Sequence, residues 1–198
     1  MKDKIIKKAT EMFLKLGFKS VTMDDIACEM CISKKTIYKF FGNKEVLIEE
    51  GTNVIQEQIK STIDTIVSQK HNAIQESFEI RKMFKEMFKG TDSSPIYQLK
   101  KHYPEIHDKV RTRQIEECKQ CFTENIKKGI DENLYRNSIN IESFVKFYYE
   151  ILLSINENNS SESDIQKLEH EAMEYHIRAM ATTKGILELE KHLSKTLI

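Results

Sequence analysis

The stretch from Ser33 to Lys44 carries four lysines, Lys34, Lys35, Lys39 and Lys44, and no acid. A lysine ammonium donates to O6 and N7 of guanine, and threonine either hydrogen-bonds a base edge or lays its methyl against thymine. A helix face showing Lys34, Lys35, Thr36 and Lys39 therefore suits base reading in a DNA major groove, with Tyr38 and Lys44 suited to phosphates. On its own such a face is usually no more than a solvated surface. The surrounding pattern decides for DNA. Thr22 to Phe41 reads as two short helical patterns around a three-residue break, the arrangement of a helix-turn-helix. Thr22 is the expected N-cap of the first helix, with Asp25 three residues on and Asp24 near the positive helix end. Ala27 is small where the helices should cross. Ile26, Met30, Ile32, Ile37 and Phe40 are expected to point inward, and Ser33 to cap the second helix.

Other residues with chemical potential are weaker. Cys28 and Cys31, and again Cys118 and Cys121, have the Cys-x-x-Cys spacing of a zinc site or a redox pair. Spacing is their only support, so buried free thiols are expected, with neither disulfide nor metal. The six histidines fit no Glu-x-x-His or His-Glu-x-x-His pattern and read as ordinary polar or surface residues. With no glycine-rich phosphate loop either, no catalysis and no cofactor are expected.

The elements that must position these residues are long helices. Gly 6 and Pro 2 in 198 residues leave few tight turns, against roughly 12% in average usage. No apolar run exceeds three residues. That excludes membrane-spanning helices, which need about 20, and secretory h-regions. It also argues against parallel-sheet strands, and a cytoplasmic all-α protein is expected. Ile5, Ile6, Ala9, Met12, Phe13 and Leu16 trace one helix face, ended by Gly17. A long helix is predicted from Asn43 towards Gln69 and another over Asn72–Lys89, closed by Gly90. Thr91–Pro95 reads as a loop, Pro104 opens a helix reaching about Lys128 with Gly129 as its cap, and Asn156–Asp164 reads as a second loop. A helix restarts at Ile165, and a last short one carries Ile186 to Leu197. The zero net charge hides a division. Residues 1 to 44 hold ten lysines and five acids, so a small N-terminal part is +5 and suits a polyanion while the remainder is −5.

Gly17-Phe18, Val21-Thr22, Asp25-Ile26-Ala27, Ile32 through Phe41 and Lys44-Glu45-Val46-Leu47 together resemble the DNA-binding domain of TetR/AcrR-type transcriptional regulators. Tyr103-Pro104-Glu105 and Gly129-Ile130 resemble that family's variable ligand-binding domain. The resemblance implies an all-helical homodimer, with a helix-turn-helix domain over residues 1–45 and a ligand-binding and dimerisation domain over 46–198. It implies binding of double-stranded DNA at a palindromic operator and release by a small-molecule effector. It gives Tyr38 and Lys44 phosphate roles, Lys34, Lys35, Thr36 and Lys39 the recognition surface beside Ser33, and Thr22 a contact at its helix start. One departure is Cys31, where the family usually has glycine.

Met and aromatic residues of the middle helices, Phe84, Met87, Phe88, Tyr103, Phe122 and Tyr148, form the candidate site for an apolar or aromatic effector. Phe144, Phe147, Tyr148, Ile151, Leu152 and Ile155 make a face wider than one neighbouring helix covers, which predicts dimerisation there and over Ile165–Ala179. The helix from Asn43 would link the reading head to the effector site. The alternatives are a redox- or metal-sensing DNA-binding protein using the cysteine pairs, and a helical interaction adaptor without an operator.

Overall fold

A computed structural model describes residues 1–90, 94–158 and 160–196. Among the described residues the helices are α1 (Lys2–Leu16), α2 (Met23–Glu29), α3 (Lys34–Tyr38), α4 (Lys44–Ser68), α5 (Ala73–Met87), α6 (Pro95–His102), α7 (Pro104–Asp131), α8 (Ile141–Glu157), α9 (Glu162–Met180) and α10 (Thr183–Thr196). Among the described residues no strand forms, and the all-α expectation holds. Leu197 and the 91–93 part of the expected loop lie outside the described residues.

The chain divides into two compact units. The first comprises Met1–Ser61, Phe88–Thr112 and Asn156–Glu162. Its core joins the periodic face of α1 (Ile5, Ile6, Ala9, Phe13) to Phe18, Val21, Ile26, Ala27, Ile37, Phe41, Leu47 and Ile48, with Leu99, Ile106 and Val110 added from α6 and α7. The second comprises Thr62–Met87, Arg113–Ile155 and Ser163–Ile198. Its core is built on Ala73, Ile74, Ile126, Leu134, Tyr135, Val145, Met173, Ile177, Met180 and Leu189. There Glu76 is buried but satisfied, accepting from Asn125 Nδ2 and Lys128 Nζ, each at 2.7 Å.

Most helix ends follow local rules. Gly17 stops α1 at φ 89°, and its N–H bonds Phe13 O. α4 begins and ends within one residue of the pattern. Elsewhere the structure corrects the sequence reading. Gly129 is not a cap: α7 runs through it to Asp131. A Cβ at Gly129 would lie 2.0 Å from Tyr135 Cδ2, so glycine is there to admit that ring, and Asn133 at φ 60° makes the turn. A short helix, α6, fills the span before Pro104. It breaks at Tyr103 because a residue preceding proline is driven out of the helical region, here to φ −141°. The second expected loop is shorter than the pattern suggests, since α8 continues to Glu157 and α9 starts at Glu162, and residue 159 of it lies outside the described residues.

Candidate nucleic-acid interface

The N-terminal unit builds its presenting surface from local caps. The Thr22 N–H and hydroxyl both donate to Asp25 Oδ2, at 2.8 and 2.7 Å, and the Asp25 N–H returns to Thr22 Oγ1 at 3.1 Å. This capping box starts α2 where the sequence placed it, and the Thr22 hydroxyl holds the Asp25 carboxyl below its usual range. Ser33 Oγ accepts the Thr36 N–H at 3.1 Å and lies 2.8 Å from Thr36 Oγ1, capping α3. Between these helices Ile32 N–H bonds Ala27 O and Cys31 N–H bonds Cys28 O, each at 3.0 Å, the paired closure of a Schellman turn. Its left-handed residue is Cys31 at φ 52°, a conformation that costs a non-glycine residue about 1 kcal/mol.

Lys35, Tyr38 and Lys39 are exposed along α3, with Thr36 half-buried between them. Lys34 is exposed too, but its Nζ bonds Asp24 Oδ2 at 2.6 Å, tying α3 to the first turn of α2 and raising the lysine pKa. Lys44 behaves differently. Its Nζ donates to Lys19 O at 3.1 Å and stands over the rings of Phe13 and Tyr103, at 5.9 and 5.7 Å. Burial there lowers its pKa.

Phe40, expected inside, is 42% exposed, whereas Phe41 is 1% exposed and fills the core. The helix stops at Tyr38, so the spacing from Ile37 no longer counts in helical turns. Cys28 and Cys31 are exposed rather than buried, while Cys118 and Cys121 are half-buried. Burial pushes the latter two thiols up to about 12 and about 11. His107 and His176 are likewise buried, against the expectation of surface residues. Among the described residues no group of three or more His, Cys, Asp or Glu side chains is placed to hold a metal ion.

Two residues outside the helix-turn-helix grip it. Phe18 N–H donates to Gln98 Oε1 at 2.8 Å, and the Tyr103 hydroxyl donates to Phe18 O at 3.3 Å. Gln98 carried no signal in the sequence, because α6 itself was not visible there. Tyr103 thus lies in the first unit, as does Phe88, whereas Phe84, Met87, Phe122 and Tyr148 belong to the second. In the second unit the rings of Phe122 and Tyr148 meet at 5.0 Å, and Tyr148 stacks on His176 at 4.2 Å with 7° between planes. Burial pushes His176 down to about 4, so its imidazole is neutral, and raises the Tyr148 phenol.

A capped helix-turn-helix with an acid-free lysine face has counterparts among known proteins. Residues 5–50 match the bacterial regulatory proteins of the tetR family. Over that stretch the chain is similar to the DNA-binding domain of the tetR family. Among its relatives, an uncharacterised HTH-type transcriptional regulator of Bacillus subtilis, YhgD, is 38% identical over 63 residues, which are 32% of this chain and 33% of that protein. The match thus spans about a third of that relative's length. The biofilm operon icaADBC negative transcriptional regulator IcaR of Staphylococcus aureus is 23% identical over 143 residues, covering 67% of this chain and 71% of IcaR. The likeness in fold extends over the body as well: a crystal structure of a transcriptional regulator from Cytophaga hutchinsonii superposes with a TM-score of 0.75 at 18% identity, over 91% of this chain and 98% of that one. Among the described residues, no helix is long and apolar enough to cross a membrane.

Proposed function

We propose that this chain is a TetR-family regulator: a cytoplasmic, ligand-responsive transcriptional repressor that binds a palindromic operator as a homodimer, without catalysis. The observation that carries the reading is the exposed, acid-free face of α3, held at a fixed angle to α2 by two side-chain caps and the turn between them. Residues 1–45 form the reading head in this proposal, and residues 46–198 bind the effector and the second copy. Lys34, Lys35, Thr36 and Lys39 address base edges, with Thr22, Ser33, Tyr38 and Lys44 on or beside the phosphates. For Lys44 this requires release from Lys19 O, and for Lys34 exchange of Asp24 for DNA.

Of the candidate effector residues, Phe84, Met87, Phe122 and Tyr148 share the second unit, and the Phe122–Tyr148–His176 ring contacts there suit an apolar or aromatic molecule. Dimerisation is supported by large apolar side chains left in solvent on two neighbouring stretches of sequence: Phe147 on α8 is 61% exposed and Tyr175 on α9 68%, with Leu168 beside them in the pattern. Selection of duplexes from a random pool by the full chain tests the reading. It succeeds if the recovered DNA shares a two-fold symmetric sequence, and fails if binding shows no sequence preference at any salt concentration.

A further inference from the structure

The Cys28–Cys31 pair occupies two defined places in one turn. Cys28 is the second-to-last turn residue of α2 whose carbonyl accepts the Cys31 N–H at 3.0 Å, and Cys31 is the left-handed residue that reverses the chain, at φ 52°. Both side chains are exposed. A turn closed by such a bond keeps its first and fourth Cα atoms within about 7 Å. A disulfide spans Cα separations of about 4.4 to 6.8 Å, so the closed turn holds the two Cα atoms at a spacing that a bridge can span. The same spacing at Cys118 and Cys121 lies within the body of α7, half-buried and with its thiols raised to about 12 and about 11, which withholds the reactive thiolate. Glycine is the residue this turn favours, yet the position holds a second thiol one residue before Ile32 and Ser33, which seat and cap α3.

We propose that Cys28 and Cys31 form a thiol–disulfide switch, oxidised by hydroperoxides, that controls operator binding. One thiolate attacks the hydroperoxide, taking one oxygen as a sulfenic acid and releasing the alcohol, or water from hydrogen peroxide. The other sulfur then attacks the sulfenic sulfur, forming the S–S bond and releasing water. In sum two thiols and one hydroperoxide give one disulfide, one alcohol and one water. Bridging draws the two Cβ atoms to about 3.8 Å, which the open turn need not satisfy, and so reshapes the link that sets α3 against α2. The control of DNA binding rests on the function proposed above; formation of the bridge does not.

The experiment treats the full chain with hydrogen peroxide, maps its disulfides by mass spectrometry and measures affinity for the duplex recovered from the random pool. The expected result is loss of two hydrogens, a Cys28–Cys31 bridge with Cys118 and Cys121 still reduced, and operator affinity lowered by about tenfold, restored by dithiothreitol. Cys28→Ser and Cys31→Gly should fold, bind DNA and keep their affinity after peroxide. Absence of the Cys28–Cys31 bridge overturns the proposal, and so does a bridge that leaves affinity unchanged. A bridge that forms in a chain that binds no duplex even when reduced would overturn the DNA-binding reading and, with it, the control step, while leaving the dithiol chemistry standing.

Discussion

Single residues divide into those whose neighbours in sequence fix their role and those whose role depends on distant partners. Lys35 is of the first kind: nothing within its own turn opposes its exposure on α3. Lys35→Ala should cost about 1 to 3 kcal/mol of operator affinity and relax preference at particular positions, measured by competition between operator variants. Lys44 is of the second kind, held by Lys19 O and two rings. Lys44→Ala should weaken binding on all sequences and reduce the slope of log K against log salt by about two per dimer. An unchanged slope would leave Lys44 as a packing residue only. His176 makes a prediction in pH. Its folded-state pKa, about 4, lies below the unfolded value of 6.5, because burial disfavours the imidazolium. The unfolded chain therefore binds the extra proton first as pH falls, so the contribution is fully present above pH 6.5 and is lost progressively from there down to about pH 4. By pH 5 the loss should reach about 2 kcal/mol, and urea unfolding of His176→Phe should show a correspondingly shallower decline between pH 7 and 5.

At the level of elements, what matters is which backbone groups are held and by what. The corner between α6 and α7 holds both backbone groups of Phe18, through Gln98 and Tyr103. Gln98→Ala leaves a part-buried N–H without its acceptor and should cost about 1 to 3 kcal/mol, whereas Tyr103→Phe removes a single long bond and should cost about 1 kcal/mol or less. Thermal unfolding ranks the two, and equal losses would deny the Gln98 bond its assigned role. Inside α7, Gly129→Ala should destabilise by more than its gain in helix propensity, about 1 kcal/mol, because the new methyl meets the Tyr135 ring. A rise in melting temperature for that variant would mean that the ring moves aside freely. Neither effect is visible in the local pattern. α6 is eight residues long and lies between two prolines, and glycine near a helix end reads as a cap unless the ring packed on it is known.

For the molecule as a whole, the proposed repressor needs two copies and a coupling between effector and operator. Replacing Phe147 and Tyr175 by Glu places charges on the exposed apolar side chains of α8 and α9. This double variant should sediment as a monomer at micromolar concentration and bind the palindrome far more weakly, since each half-site would be held alone. A variant that stays dimeric moves the interface elsewhere. The sequence by itself determined the helical class, the start of α2 at Thr22, the cap of α3 at Ser33 and the lysine face between them. Each follows from periodicity, caps and charge within a few residues, which are local physics. The resemblance, which has glycine in this turn, also singled out Cys31, and the structure places that residue at φ 52°. Tertiary structure decided the rest: that Phe41 and not Phe40 fills the core, that Gly129 serves Tyr135, that His107 and His176 are buried, and that Lys44 folds back onto Lys19. In each of these the deciding partner comes from another element or from beyond a helix end, and a side chain's burial is settled by what packs on it, which helical spacing alone does not specify.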